Sequence, residues 1–186
     1  MAGSILSNQL RIARRECKPL CIQLKWSADD LYGFVAALGE KLVLFAEYRD
    51  YRPNGFMVFR LDAIENAAGQ SGFIEKMVKS ERLYEQFGAV PLVRLNSWQD
   101  ALKGLMEQEK FVALETADDE RYYPGKLEKV TARTVYYRTF DTDGVWEDEP
   151  RRMKLSELGA VRLQHPYLET YVKYIESVPD DFMELV

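Results

Sequence analysis

The feature that most constrains the fold of this 186-residue chain is a spacing of residues that occurs twice. Three landmarks of the first half recur in the second half at offsets of 92, 94 and 94 residues. They are Gly33-Phe34-Val35 with Gly125-Lys126-Leu127, Leu61-x-x-Ile64 with Leu155-x-x-Leu158, and Phe73-Ile74-x-x-Met77-Val78 with Tyr167-Leu168-x-x-Tyr171-Val172. Units of about 90 residues are near the lower end of the usual domain size. The sequence therefore predicts two tandem domains, residues 1–94 and 95–186.

The repeat leads to specific expectations about position. Phe73 and Tyr167 should begin equivalent helices and be largely buried there, and Gly33 and Gly125 should lie at equivalent positions in strands. The connecting segment 90–97 is apolar rather than Gly/Ser-rich, so we expect it to be buried between the parts it joins. A helix predicted from Trp98 onward should pack at this junction, which favours one compact body.

The composition is that of a soluble globular protein, with 47% hydrophobic and 30% charged residues. No apolar run approaches the ~20 residues that a membrane helix needs, and the first ten residues lack the pattern of a signal peptide. Only two cysteines are present, Cys17 and Cys21, which are too few for a disulfide scaffold. We therefore expect a cytoplasmic protein that does not enter a membrane.

Charge is divided unevenly between the halves. Residues 1–94 carry 13 Lys and Arg against 11 Asp and Glu, whereas residues 95–186 carry 12 against 19, for a net charge of −5. A net acidic protein has no long-range attraction for nucleic acid, which disfavours that class of partner. The acidic half is open to three interpretations: a solvated surface, a face for a basic partner, or a surface on which the first half docks.

Each half has the pattern of a helix, four or five short strands and a closing helix. The predicted strands are Leu20–Leu24, Leu31–Leu38, Lys41–Tyr48 and Gly55–Leu61 in the first half, and 111–116, 125–130, 134–140 and 151–155 in the second. Arg52-Pro53-Asn54-Gly55 predicts a hairpin turn, because Asn-Gly adopts the positive φ angles of a tight reversal. Ser97 and Asp100 resemble a capping box at the start of the helix from Trp98.

This order of elements resembles the small SH3-like and Sm-like barrels, over about 60 residues in each half. In the second half, Gly125-x-Leu127 followed by Val135-x-Tyr137-x-x-Phe140-Asp141 is similar to the first Sm motif, while the second, RNA-gripping motif of that family has no match. The resemblance implies a mainly β, α+β fold of two tandem SH3-like or Sm-like barrels with flanking helices. For an Sm-like protein it also implies RNA binding.

A second resemblance rests on two shorter motifs. Asp29-x-Leu31-x-Gly33 and Asn54-Gly55-Phe56 have the spacing of a group of small uncharacterised bacterial proteins. Membership of that group would imply a bacterial protein with this fold and no known activity.

No motif places a catalytic group, a metal ligand set or a cofactor. His165 stands alone and is interpreted as the residue that precedes the final helix, and Cys17 and Cys21 lack the second ligand pair of a zinc site. The acidic segment 141–149 fails the register of an EF-hand loop, since Gly144 is at position 4; whether it binds a cation is left open. We therefore predict no catalytic residue, no metal site and no cofactor.

One basic helix face is the candidate site for an anionic partner. Residues 4–16 are predicted to form a short helix that ends at Pro19, and the cations Arg11, Arg14, Arg15 and Lys18, at i, i+3, i+4 and i+7, would fall on one face of a helix. Docking on the acidic half of the same chain is favoured over RNA, because it accounts for both charge features. The sequence predicts a non-catalytic binding or interaction protein whose partner is another protein; the alternative is an RNA-binding Sm-like protein.

Overall fold

A computed structural model describes residues 2–108, 111–118 and 121–177 of the chain, which form a mainly β structure of the α+β class. The described helices are α1 (Ala2–Arg15), α2 (Gly72–Ser80), α3 (Trp98–Gln108) and α4 (Pro166–Ser177). The described strands are β1 (Leu20–Leu24), β2 (Asp30–Leu38), β3 (Leu42–Arg49), β4 (Arg52–Arg60), β5 (Ile64–Gly69), β6 (Val112–Thr116), β7 (Tyr122–Val130), β8 (Thr134–Thr139), β9 (Arg151–Lys154) and β10 (Leu158–Leu163). None of these helices is both long enough and apolar enough to cross a membrane.

All ten strands belong to one antiparallel sheet in the order β5-β1-β2-β3-β4-β10-β6-β7-β8-β9. The strands of each half follow the same order across the sheet. The fifth strand of the half comes first, and its first, second, third and fourth strands follow. The two sets meet where β4 pairs with β10, with Val58 opposite Val161 and Met57 opposite Arg162. We call this β4–β10 ladder the seam.

The sheet is open, whereas the resemblance to small barrels predicts two closed units. Among the described strands, β5 pairs only with β1 and β9 only with β8, so neither half closes on itself through a ladder. The outer edge of β4 is occupied by β10 of the other half. The two outer strands of the first half, β4 and β5, therefore do not pair with each other, and β4 pairs with β10 of the second half instead.

Gly33 and Gly125 occupy matching positions in β2 and β7. Gly33 lies opposite Glu47 in the next strand and Gly125 opposite Thr139, and a bulge follows two residues later in both ladders. A Cβ atom on Gly33 would lie 2.1 Å from the Ala46 carbonyl oxygen, and one on Gly125 would lie 1.9 Å from that of Arg138. Glycine is required at both positions because the neighbouring strand passes too close for a side chain.

The two offsets of the spacing have a structural explanation. The first three strands of each half match at an offset of 92 residues, as Gly33 and Gly125 show, whereas β5 and β10 begin at Ile64 and Leu158, 94 apart. The two additional residues therefore lie between β8 and β10, in the stretch that contains Trp146. Phe73 and Tyr167 are each the second residue of their helices.

The burial predicted for these two helix starts is wrong. Phe73 is 75% exposed and Tyr167 is 43% exposed. In α2 it is Val78 that reaches the core, and in α4 it is Leu168. Phe73 and Tyr167 therefore lie on the solvent side of their helices, next to residues that face the interior, Ile74 and Leu168.

The main hydrophobic core is shared by both halves. A single cluster joins Phe34 and Val58 of the first half to Leu114 and Val161 of the second. From α3, four buried side chains enter this cluster: Trp98, Ala101, Leu102 and Leu105. The core is thus continuous across the seam, and α3 packs at the junction as predicted.

The connecting segment is only partly buried. Pro91 and Leu95 are buried, and the Leu95 carbonyl accepts a hydrogen bond from the Leu42 backbone N–H at 3.1 Å. Leu92, however, is 79% exposed and Val90 38% exposed. Backbone contacts as well as apolar burial therefore hold this segment against β3.

The hairpin between β3 and β4 turns earlier than predicted. Its two central residues are Asp50 and Tyr51, both with positive φ (50° and 58°), and Arg49 pairs with Arg52 across them. The predicted turn at Arg52–Gly55 instead lies within β4, where Gly55 has a φ of +86°. The positive φ of Gly55 belongs to a bulge opposite Glu47, where the β3–β4 register shifts.

We expect Gly125→Ala to lower the free energy of unfolding by about 3 kcal/mol or more, because the new methyl group overlaps the Arg138 carbonyl. Gly104→Ala is the matched control: in α3 the nearest atom to an added Cβ is 3.9 Å away. Alanine should stabilise that helix by about 0.5–1 kcal/mol. Urea denaturation of both variants measures the difference, and equal effects at the two positions would contradict the close approach at Gly125.

Candidate ligand-binding cleft

A cleft of about 1110 Å³ opens beside the seam. The first half contributes the segment from Trp26 to Tyr32 and the hairpin from Glu47 to Tyr51, and Met57 of the seam strand β4 lies against it. The second half contributes four residues that the linear sequence separates widely: Glu115, Tyr122, Arg162 and His165. The pairing of β4 with β10 brings these groups together.

A buried cluster of three charges crosses the seam at the cleft. Arg162 of β10 donates through Nη1 to Glu47 Oε2 in β3 and through Nε to Glu115 Oε1 in β6. The Arg162 side chain is 15% exposed, and the two glutamate side chains are 11% exposed each. One cation from the second half is therefore shared between a carboxylate of each half.

The environment keeps Arg162 charged. Burial lowers the pKa of the guanidinium, but the charges and hydrogen bonds of Glu47 and Glu115 outweigh that effect and raise the pKa above its ordinary value. Removing one member of such a buried pair is costly, because it leaves another charge without compensation in a medium of low polarity. The cluster therefore constrains how the two halves meet.

Several buried polar atoms at the cleft have no hydrogen-bond partner. Within the described ranges five buried side-chain nitrogen or oxygen atoms are unpaired, and four of them belong to residues that line the cleft. These four are Trp26 Nε1, Tyr48 OH, Tyr122 OH and His165 Nδ1, while the fifth, Trp98 Nε1, belongs to the core helix α3. Buried polar groups are usually satisfied, so this concentration makes the cleft the candidate functional site.

Three titratable groups of the cleft, His165, Tyr48 and Tyr122, are shifted toward their neutral forms. Burial, together with the positive charges of Arg162 and Arg49, lowers the pKa of His165 to about 4. Burial raises the pKa of Tyr48 to about 12 and raises the pKa of Tyr122 as well. At neutral pH the cleft therefore presents a neutral imidazole and neutral phenols around the charged cluster.

The hairpin tip at the edge of the cleft is conformationally strained. Positive φ at both central residues of a two-residue turn is the pattern of a type I′ turn, for which Asn-Gly is the preferred sequence. Here the two residues are Asp50 and Tyr51, and a tyrosine in this region of φ is uncommon. Both side chains line the cleft, and the Tyr51 ring stacks on Tyr48 with centroids 6.2 Å apart. Strain of this kind is concentrated at functional sites.

The predicted basic face of α1 is not a continuous free surface. The helix ends at Arg15, so Lys18 lies beyond it, which corrects the prediction of four cations on one helix side. Arg14 donates to the Ala36 carbonyl at 3.1 Å, and Lys18 pairs with Glu16 at 2.7 Å. Arg15 also pairs with Glu16, at 3.1 Å, and Arg11 is exposed. The described ion pairs of this segment are thus local and do not join it to the acidic half.

The other singled-out residues are placed as follows. His165 directly precedes α4, as predicted, and its carbonyl accepts from the Glu169 N–H at 2.9 Å. Cys17 and Cys21 are unpaired thiols. In the acidic segment, Asp141 Oδ1 accepts from the backbone N–H groups of Asp143 and Val145, both at 2.9 Å, as in an Asx turn. Within the described ranges, no group of three or more His, Cys, Asp or Glu side chains is arranged to hold a metal ion.

Sequence reasoning missed the charged cluster at the seam. Its signal is nevertheless visible: one charged residue interrupts each of three apolar strands, at Glu47, Glu115 and Arg162. A charge in a fully apolar run needs a buried partner, since such residues are rarely buried alone. Which partner each one has depends on the position of β10 in the sheet, and no local pattern gives that.

Comparison with known proteins places no relative beside this chain: no family model, no curated protein and no solved structure matches it significantly. The chemistry of the cleft is therefore the basis for assigning a function.

We expect Arg162→Met to lower the free energy of unfolding by about 3–5 kcal/mol, because it leaves Glu47 and Glu115 buried without their cation. Substituting the two glutamates by leucine in the same variant should recover most of that loss. The control is Arg138→Met, which breaks an ion pair with Glu128 whose side chains are 40% and 33% exposed, and should cost less than about 1 kcal/mol. Urea denaturation measures all three, and equal losses for Arg162→Met and Arg138→Met would show that the buried cluster does not hold the seam.

The one histidine of the chain allows a direct titration by NMR. The imidazole signals of His165 should titrate near pH 4 rather than near 6.5, because burial and the two arginines oppose protonation. Since the folded pKa lies below that of the unfolded chain, the unfolded state binds the proton preferentially between these values. The stability contributed by neutral His165 is complete above pH 6.5 and is lost as the pH falls toward 4. Titration at pH 6 or above would place His165 in solvent and contradict its position in the cleft.

Proposed function

We propose that the protein is a non-catalytic binding protein whose partner, another protein, is recognised in the cleft beside the seam. The observation that supports this most directly is the group of buried polar atoms without partners, four of which belong to cleft residues. A buried polar atom without a partner costs free energy, and a polar ligand that pairs with such an atom offsets that cost.

The chemistry of the cleft supports binding rather than catalysis. A general base works best with a pKa near the working pH, whereas the pKa of His165 is lowered to about 4. Glu47 and Glu115 both accept from Arg162, which restricts either carboxylate as a proton acceptor for a substrate. Tyr48 holds its proton more tightly than an ordinary tyrosine, since burial raises its pKa to about 12.

We further interpret the two halves, residues 1–94 and 95–186, as tandem modules related to the SH3-like or Sm-like barrels. The shared strand order and the matching positions of Gly33 and Gly125 support this interpretation. A cytoplasmic location is also part of the proposal, and the unpaired thiols of Cys17 and Cys21 are in keeping with it.

A photoreactive phenylalanine analogue in place of Tyr51 should crosslink to a protein in cells that express the chain, because Tyr51 lies at the edge of the cleft and is 49% exposed. The same analogue in place of Leu92 is the control, since that residue is 79% exposed and does not line the cleft. Gel electrophoresis and mass spectrometry identify the adduct. The expected result is a discrete protein adduct from position 51 that position 92 does not give.

Two further measurements distinguish the proposed function from RNA binding. An adduct from position 51 that is lost on nuclease treatment, together with electrophoretic retardation of RNA that weakens steeply with salt, would replace the proposed function by RNA binding. Equal labelling from positions 51 and 92 would remove the cleft as the binding site.

A further inference from the structure

We propose that the cleft binds an arginine or lysine side chain of the partner together with the peptide carbonyls beside it. This inference rests on the proposed function and specifies the chemistry of the partner. Four properties of the cleft carry it: charge, aromatic content, the unpaired donors and the strained hairpin tip.

The charge of the cleft favours a cation. Its lining includes five carboxylates, those of Asp29, Asp30, Glu47, Asp50 and Glu115. Against these stand two guanidinium groups, Arg49 and Arg162, while His165 is neutral at pH 7. The net charge of the lining is therefore −3, and Arg162 is already held by two of the carboxylates. The three aspartates, all exposed at the entrance, remain to attract a further positive charge.

The aromatic content suits the same kind of group. Five rings line the cleft, those of Trp26, Tyr32, Tyr48, Tyr51 and Tyr122. A guanidinium or ammonium group is stabilised over the face of such rings, and more strongly where water is excluded. The chain already uses this contact elsewhere, because Lys126 Nζ lies 4.5 Å from the centroid of Phe111 and 5.3 Å from that of Trp146. Carboxylates combined with aromatic faces distinguish a site for a basic side chain from one for an anion.

The unpaired polar atoms favour a ligand that carries a hydrogen-bond acceptor as well as a cation. Trp26 Nε1 can only donate, and it is buried without a partner. Tyr48 is 5% exposed, and because burial raises its pKa to about 12 its hydroxyl keeps the proton that it can donate. A simple amine carries no acceptor for these donors, whereas a peptide supplies a carbonyl at every residue. The volume of about 1110 Å³ exceeds what a single side chain needs and leaves space for the backbone beside it.

The hairpin tip places a carboxylate and an aromatic ring at the cleft on residues with positive φ, which is uncommon for tyrosine. Asn-Gly would adopt the two positive φ angles with little strain, yet Asp50 and Tyr51 occupy them. The turn therefore holds a carboxylate and an aromatic ring at the cleft where a more stable turn would hold neither.

The test uses capped pentapeptides with one central residue, arginine, lysine, glutamine or glutamate, flanked by glycines. NMR follows the indole N–H signal of Trp26, which the variant Trp26→Phe assigns among the three tryptophans of the chain. The arginine and lysine peptides should shift this signal in a saturable way that weakens with salt, while the glutamine and glutamate peptides should not. Equal shifts with all four peptides, or none with the basic pair, would overturn the inference. A linear triamine that shifts the signal as strongly as the arginine peptide would overturn the requirement for a peptide.

The variant Asp50→Asn with Tyr51→Gly separates recognition from folding. It should raise the midpoint of urea unfolding and weaken the affinity for the arginine peptide at least about tenfold, since a carboxylate and a ring are lost together. Gly104→Ala is the control that also stabilises the fold but lies outside the cleft, and its affinity should equal that of the parent. The double variant Asp29→Asn with Asp30→Asn is a second test. It should also bind the arginine peptide more weakly than the parent, because two exposed carboxylates of the cleft are lost. Parental affinity in both cleft variants would overturn the inference.

The inference and the proposed function fail in different ways. If position 51 gives a protein adduct but the cleft shows no preference for basic peptides, the proposed function stands and the recognition of a basic side chain is rejected. No adduct from position 51 removes the proposed function, whatever the peptides show.

Discussion

The pairing of β4 with β10 is the interaction on which the remaining structure depends. It converts two sets of five strands into one sheet, makes the hydrophobic core continuous from Phe34 to Leu114, and occupies the strand edge that a closed barrel would use internally. It also brings together the segments that line the cleft, because β10 carries Arg162 and ends just before His165. The pairing of β4 with β10 therefore determines the architecture of the sheet and also assembles the candidate site.

The charges at this seam define how the halves meet more closely than apolar contacts alone would. Apolar side chains tolerate a shift of register, whereas Arg162 must reach Glu47 in one half and Glu115 in the other. A slip of one residue would turn Arg162 to the opposite face of the sheet and leave two buried carboxylates without a cation. The cluster therefore selects one register of the seam from among several that hydrophobic contact would permit.

Local patterns predict much of this fold. The strand at Leu20–Leu24, the helix start at Ser97 and Trp98, and the matching glycines all follow from spacing, burial period and capping chemistry. Strand β5 and the turn at Asp50 and Tyr51 do not, because Ile64–Gly69 is polar for a strand and a tyrosine rarely adopts positive φ. These exceptions are set by neighbouring strands rather than by the segments themselves.

The sequence predicts less of the candidate site than of the fold. His165 was recognised as the residue before α4, yet its place beside Arg162 and Tyr122 follows from the position of β10 between β4 and β6. Sequence spacing carries no information on which edge a short apolar strand will join, since any buried strand offers the same hydrogen-bonding groups. The residues of the candidate site therefore come from both halves of the chain, and no local pattern brings them together.

The central position of β10 has a consequence for synthesis on the ribosome. The edge of β4 and the carboxylate of Glu47 are complete once residue 60 has been made, but their partners lie in β10, the last of the described strands to be synthesised. About 100 residues separate the two, so at ordinary rates of translation the nascent first half waits roughly 5–20 s with an unpaired edge and an uncompensated charge. During that interval it presents a template for pairing with any other strand, and protection by a chaperone would matter most then.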